Sequence, residues 1–350
     1  MRAANTGRRA GGGKRRHMSQ ERDADQVGTL RLSRRGFLRA AAGAVAAGAL
    51  AGAVRADDAA EPKPIPKRVL GRTGYDTSIL ALGLGALGDG RLPEQTVVEV
   101  LNGALDAGIN YLDTASTYGS VQAFAGSVIG KRRSEMFLVS KIKPLGRDGI
   151  WRQLEKSLAD MQTDKVELLH LHNIGDFDLD ELEQSEGPLT AVREMKEQGL
   201  TKHIGATGHL KPPAFLRLFE IADDIDVVMF PLNIVDRHTY VFESRVVPAA
   251  RERGIAVMAM KMLGGVVGWQ YGPGRGLFTS DALYAPTIRY ALGLEGVTAG
   301  VMGLCSVEEL NQAVDLVRSY EPLSEGELAA LEDRTKSLAG QRGLHYGPAE

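Results

Sequence analysis

Gly108-Ile-Asn-Tyr-Leu-Asp-Thr-Ala-Ser-Thr-Tyr-Gly119 begins with a short β-prone run, Ile109 to Leu112, that delivers an acid, Asp113, to its C-terminal end. Five residues further on stands Tyr118, with Gly119 behind it to allow a tight turn into the next element. An acid at a strand end and a phenol in the next loop can face one cavity. The same order of strand, loop and amphipathic stretch recurs on both sides of this segment.

Strands are predicted at Ile79–Leu84, Ile109–Asp113, Met136–Lys141, Val166–His172, His203–Thr207, Val227–Phe230, Ile255–Lys261 and Thr298–Gly303. Between them the apolar residues recur at helical spacing, as in Val97, Leu101, Ala104 and Leu105, or Ile150, Leu154, Leu158 and Met161, or Leu189, Val192 and Met195. Strict alternation implies a parallel sheet, and eight is the strand number that closes a barrel. An open doubly wound sheet also alternates, but no Gly-x-Gly-x-x-Gly leads a strand into a helix here, since Gly83-Leu-Gly85 lacks the third glycine. The expected fold is therefore an α/β (β/α)8 TIM barrel over residues 67–350. An N-terminal β-hairpin at Arg68–Ser78 precedes it, and a loop insertion, Gly264–Ala285, comes after the seventh strand. That insertion is too long for an ordinary connection and sits where a lid over a ligand would be. The mature chain is expected to end soon after Tyr346, leaving little C-terminal extension to shape a pocket.

The 350 residues, 43% of them hydrophobic, can bury a full core, and a formal charge of −2 gives no bias toward nucleic acid. Cys305 is the only cysteine, which excludes an intramolecular disulfide and a Cys-x-x-Cys metal site. The head of the chain is different. Ser33-Arg-Arg-Gly-Phe-Leu-Arg39 precedes an uncharged Ala/Gly/Leu/Val run from Ala40 to Val54, and Val54-Arg-Ala56 offers a small-residue cleavage site. The paired arginines followed by Phe-Leu resemble a twin-arginine export signal, so residues 1–56 are expected to engage that export machinery and residues 57–66 to form a linker. The expected location is periplasmic or otherwise extracytoplasmic, with an N-terminal anchor as the alternative if the leader is left uncleaved. An apolar run of about fifteen residues falls short of the roughly twenty needed for a stable membrane span. Residues 1–17 are Arg/Gly-rich and fit no signal design, which leaves Met18 as a second candidate start.

In a barrel all strand C-termini share one rim. Asp113, Tyr118, Lys141 and His172 then converge, whereas His170, two positions deeper, reads as a satisfied core residue. Lys141 follows Phe137-Leu-Val-Ser140, where a charge is out of place unless it reaches an acid. The four suit carbonyl reduction. Tyr118 gives a proton to the nascent alkoxide, Lys141 lowers a phenol pKa otherwise near 10, Asp113 keeps Lys141 charged, and His172 polarises the carbonyl. Lowering that pKa by about three units is worth roughly 4 kcal/mol. A cation among Asp113, His172 and Asp176 would be repelled by Lys141, so no metal is expected.

The Gly108–Gly119 stretch resembles the signature of the aldo-keto reductases, and Asp113, Tyr118, Lys141 and His172 match that family's tetrad residue for residue. The resemblance runs from Arg68 through the helix after the eighth strand. It implies a small carbonyl or alcohol substrate and an NADP(H) or NAD(H) cofactor extended across the barrel rim. It also implies cofactor contacts at Gly85, Ala86, Asp113, Thr207, Met260, Lys261, Gly303, Cys305, Ser306 and Glu309. The chain departs from the family at several of these. In Ile204-Gly-Ala-Thr-Gly208, Thr207 stands for the serine of a Ser-Asn pair that holds the carboxamide, and Gly208 has lost the amide. Met229 replaces a usual glutamine, and Met260 a stacking aromatic, with Lys261 beside it placed to meet phosphate. The loop Gly303–Ser306 opens a helix and can offer N–H groups to a phosphate, although Ser306 and Glu309 also fit a capping box. Glu309 stands where phosphate-preferring members carry a cationic donor, which leans the choice toward NAD(H). A cofactor-binding redox sensor with little turnover is the alternative to an enzyme.

Replacing Arg34 and Arg35 by lysine should leave the protein in the cytoplasm with its leader attached. Cell fractionation checks this, and recovery of the variant outside the inner membrane refutes the signal.

Overall fold

Both faces of a parallel barrel strand are covered, so its residues are apolar in continuous runs rather than in alternation. In the computed structural model, which describes residues 62–143, 146–266, 270–279 and 281–350, this holds for the barrel strands in the main, with Thr201–Thr207 and its exposed Lys202 departing from it. Residues 1–56, expected to be an export signal, and the first five residues of the expected linker lie outside the described residues. Strands β1 (Lys67–Val69) and β2 (Asp76–Ser78) form an antiparallel hairpin, with Lys67 opposite Ser78. The barrel strands are β3 (Leu80–Gly83), β4 (Tyr111–Asp113), β5 (Phe137–Ile142), β6 (Val166–Leu171), β7 (Thr201–Thr207), β8 (Ile225–Pro231), β9 (Ala256–Met260) and β10 (Val297–Met302). They close in the order β10-β3-β4-β5-β6-β7-β8-β9, all parallel.

Helices fill the connections: α1 (Gly85–Asp89), α2 (Glu94–Asp106), α3 (Val121–Arg132), α4 (Arg147–Asp160), α5 (Pro188–Glu197), α6 (Pro212–Ile221), α7 (Val247–Glu252), α8 (Asp281–Gly293), α9 (Val307–Arg318) and α10 (Glu325–Arg342). The expected barrel, hairpin and insertion are all present. Element ends move by one or two residues, each for a local reason. β4 starts at Tyr111 instead of Ile109 because the Asn110 side chain is tied to the hairpin, accepting from Ser78 N and donating to Asp76 O, each at 2.8 Å. β9 stops before Lys261 because that residue adopts φ +58°, outside the strand region. The insertion is shorter than expected, since α8 already begins at Asp281. No helix among the described residues is long and apolar enough to cross a membrane.

The core has two layers. One packs the outward faces of the strands against the helices, and the other fills the barrel itself with Tyr111, Phe137, Val139, Leu168, Val227, Met258 and their neighbours. The hairpin supplies the floor of that inner layer: Leu70 is fully buried in it, and Tyr75 meets Phe137 with ring centroids 4.8 Å apart. Arg72 pins the floor from outside, its Nε 2.8 Å from Asp226 Oδ1 at the start of β8. With the lower end plugged by side chains, only the strand C-termini open to solvent.

Leu70→Ala should lower the unfolding free energy by about 2–5 kcal/mol, the usual cost of emptying a closed core site. Urea denaturation checks it, and a loss under about 1 kcal/mol would mean that the hairpin is not part of the core.

Candidate active site

Parallel register decides which strand-end side chains meet. Gly83 pairs with Asp113 and Lys141 with His170, so the ends of β3 to β6 lie side by side along one arc of the rim. Asp113 and Lys141 point inward, with side chains only 5% and 1% exposed. An ammonium at that depth is tolerable only if its donors are used. All three are: Lys141 Nζ donates to Asp113 Oδ1 at 2.5 Å, to Thr114 O at 3.0 Å and to Tyr118 Oη at 3.2 Å. Tyr118 comes this close because α1 carries glycine where it lies against the loop. A Cβ at Gly88 would stand 2.2 Å from the Tyr118 carbonyl oxygen. His172 follows β6, with its ring centroid 6.0 Å from that of Tyr118 and edge-on to it.

The electrostatics follow from this burial. Burial disfavours charge on Lys141, but Asp113 and Tyr118 more than offset it, and the lysine is held above its ordinary range. Burial, and then the charges of Lys141 and Lys143, push His172 down to about 3, so its ring is neutral at pH 7 and carries one N–H. Tyr118 requires a correction. Lys141 pulls its pKa down as expected, yet burial pushes it up by more, helped by the Asp113 carboxylate beside the lysine, and the net shift is upward. Tyr118 is thus firmly a phenol. His170 is fully buried as expected but is not satisfied: neither ring nitrogen has a hydrogen-bond partner among the described residues.

Above these groups opens a cavity of about 590 Å³. Of the residues read as cofactor contacts, Gly85, Ala86, Asp113, Thr207, Met260, Lys261, Gly303 and Glu309 line it, whereas Cys305 and Ser306 do not. The physical reason lies in how α9 is capped. Ser306 Oγ accepts from Glu309 N at 3.2 Å, but the Glu309 carboxylate does not return the bond expected of a capping box. It accepts instead from Cys305 N and from Gly274 N of the insertion, each at 2.7 Å. The Cys305 amide is thereby occupied, and burial, followed by Glu309, pushes its thiol up to about 12.

The insertion reaches three walls. Glu309 holds Gly274, Tyr271 lies against Gly90 beyond α1, and Lys261 Nζ donates to Tyr271 Oη at 3.1 Å. Burial, and more weakly Lys141, bring Lys261 down to about 8 against the pull of Asp89. The short segment after α10 lines no part of the cavity, as expected, but braces one wall from behind. After α10 the chain folds back: Tyr240 Oη donates to Gly347 O and accepts from Tyr346 N, each at 3.0 Å, and Lys211 N donates to Pro348 O at 3.1 Å. Tyr346 then backs His209, with ring centroids 5.5 Å apart.

Asp89, Lys143, Asn173, His209, Tyr271 and Arg275 also line the cavity and were not singled out from the sequence. Asn173 and His209 had a signal, each being within two residues of a position already assigned to the rim. Asp89, Tyr271 and Arg275 had none, because loop conformation alone brings them in. Among the described residues no group of three His, Cys, Asp or Glu side chains is placed to hold a metal ion.

Comparison with known proteins agrees with this architecture. L-galactose dehydrogenase of Arabidopsis thaliana is 23% identical over 321 residues, covering 80% of this chain and 98% of that protein. Methylglyoxal reductase DkgB of Salmonella typhi is 27% identical over 190 residues, 53% of this chain and 67% of the relative. Among solved structures, an aldo-keto reductase from Klebsiella pneumoniae in complex with NADPH superposes with a TM-score of 0.65 at 21% identity, covering 77% of this chain and 95% of its own. Residues 79–272 match the Aldo/keto reductase family, and with the closed eight-stranded barrel around them they show that the chain is a member of that family, an NAD(P)-dependent oxidoreductase.

Proposed function

We propose that the protein reduces a small aldehyde or ketone to the alcohol, or runs the reverse reaction, with Tyr118 as the proton donor. The observation that carries this reading is the saturation of Lys141. Its third N–H is spent on the Tyr118 oxygen at 3.2 Å, so that oxygen is an acceptor on the lysine side and its own proton is turned toward the cavity. A carbonyl oxygen seated there meets the Tyr118 hydroxyl and the single N–H of neutral His172. As negative charge grows on that oxygen both donors strengthen, and the tyrosinate left after proton transfer faces an ammonium that Asp113 keeps charged and fixed. A bound reduced nicotinamide dinucleotide would supply the hydride. The upward shift of Tyr118 suits reduction, since the acid stays protonated at neutral pH and gives up its proton only as the alkoxide develops.

The cavity fits such a cofactor. Its lining includes Met260 and the groups around Lys141 as well as Lys261, Arg275 and Glu309 of α9. Lys261, a part-buried cation hydrogen-bonded to a phenol and, among the described residues, to no carboxylate, suits a pyrophosphate. On the choice between dinucleotides, Glu309 no longer favours NAD(H), because its two oxygens already accept backbone N–H groups. Arg275, next to the Gly274 that Glu309 holds, offers a cation at the same end of the cavity, and on that ground we propose NADP(H). For the leader we propose that residues 1–56 direct export of the folded protein, on the strength of Arg34-Arg35 and the small-residue site at Ala56. Clamping of the insertion by Glu309 supports the further proposal that the cofactor is released slowly and travels with the folded chain.

Tyr118→Phe should bind reduced dinucleotide within about twofold of the parent yet lose at least about a hundredfold in aldehyde reduction. Lys141→Met should be similarly impaired, and near-native turnover in either variant would remove Tyr118 from the proposed role.

Fluorescence titration should give a smaller dissociation constant for NADPH than for NADH. The NADPH affinity should also weaken as pH rises through about 8, where Lys261 loses its charge, and Lys261→Met should abolish that dependence. A tighter constant for NADH would overturn the proposed preference.

A further inference from the structure

A nicotinamide ring carries a carboxamide with one carbonyl acceptor and two N–H donors. In a cavity closed to water, leaving such a group unpaired costs roughly 1–3 kcal/mol. At the ends of β7 and β8, where the family resemblance places its polar partners, this chain has Gly208 and Met229, and neither side chain can hydrogen-bond an amide well. Gly208 is closely packed on one side. A Cβ there would stand 3.1 Å from the ring of Phe215, which is fully buried and packed against Phe230 and Phe242 at centroid distances of 5.2 and 5.7 Å. A larger residue at 208 would require Phe215 to shift.

An amide does stand nearby. Asn173 directly follows His172 and lines the same cavity, as do Thr207 and His209. Its backbone lies in the left-handed region, φ 62° and ψ 56°, which few residues other than glycine and asparagine adopt readily. Two contacts from the end of β7 fix it there. Asn173 N donates to Thr207 Oγ1 at 3.3 Å, and Asn173 Oδ1 lies 3.2 Å from Nδ1 of His209. Burial, then the charges of Lys261, His172 and Lys141, push His209 well below the ordinary histidine range, so its ring is neutral. With its proton on Nδ1, that ring donates to Oδ1 and sets the orientation of the Asn173 amide. In that tautomer Oδ1 accepts from His209, and Nδ2 is the donor the Asn173 side chain has left to offer.

We infer that Asn173, oriented by His209 and anchored by Thr207, grips the nicotinamide carboxamide in place of the amides that Gly208 and Met229 lack. The inference rests on the proposed dinucleotide-dependent reduction. It adds support of Asn173 to the contact expected of Thr207, whose oxygen accepts the Asn173 N–H while its own O–H stays a donor. The donor offered to the carboxamide oxygen is Asn173 Nδ2.

Equilibrium binding of two probes tests this: NADPH, and 2′-phospho-ADP-ribose, which lacks the nicotinamide. Asn173→Gly keeps the left-handed backbone and removes the amide, whereas Asn173→Asp keeps an acceptor for His209 and removes the donor. Both variants should lose at least about tenfold in affinity for NADPH while binding the fragment within about twofold of the parent. Asn173→Asp separates recognition from scaffolding, because a purely structural partner of His209 would be served as well by aspartate. NADPH affinity within about twofold of the parent in either variant overturns the inference, and so does a parallel loss for the fragment. If the parent binds neither probe, the dinucleotide reading itself fails, and this inference fails with it.

Discussion

An ammonium group at 1% exposure inside a parallel barrel is an expensive object, and the rim of this protein is arranged around keeping it there. Lys141 reaches an acid, a carbonyl and a phenol, one for each N–H, and these come from one short segment, Asp113, Thr114 and Tyr118. That economy explains why a strand of three residues is enough at β4. Its task is to present consecutive groups of a strand end and loop to the lysine on the neighbouring strand. The geometry that makes the buried charge tolerable is the same geometry that directs the Tyr118 hydroxyl into the cavity. Stability and chemistry are here one set of hydrogen bonds, and truncating any member leaves a buried charge or dipole without its partner.

Much of this was legible in the chain. Eight apolar runs with helical spacing between them identified the barrel, because the periods of strand and helix are fixed by backbone geometry alone. Asp113, Lys141 and His172 could be placed on one rim because each ends such a run. Where the reading failed, the missing information was three-dimensional. Glu309 three residues after Ser306 looked like half of a capping box, but its carboxylate crosses to Gly274, a contact that no local spacing encodes. The sign of the Tyr118 shift was misjudged because the strength of Lys141 could be read and the depth of burial could not. The back-folded segment after α10 depends on Tyr240, more than a hundred residues away in the chain.

The loops divide the work unevenly. The ends of β4 and β5 and the loops after β4 and β6 carry the groups proposed to react, and strand register anchors them. Those after β9 and β10 carry the longer reach across the cavity and are anchored by side chain to backbone contacts. Lys261 marks the boundary, leaving β9 with a left-handed backbone that swings its ammonium under Tyr271. The hairpin floor of Leu70 and Tyr75 closes the lower end of the barrel, and the described part of the insertion lines the cavity at the upper end.

The way that insertion is fastened has a consequence for how the protein can change over time. The Glu309 carboxylate is held by main-chain N–H groups at 274 and 305; the contact at 305 asks nothing of the side chain beyond not being proline, while Gly274, at φ +67°, is favoured as glycine by its backbone. The rest of that wall of the cavity can therefore drift in sequence, acquiring or losing aromatic, basic or small residues, while its moorings stay intact so long as Gly274 and one acidic residue on α9 are kept. New substrate preferences would be open to such a scaffold by substitution within the insertion alone, with no matching change required on the opposite side of the cleft.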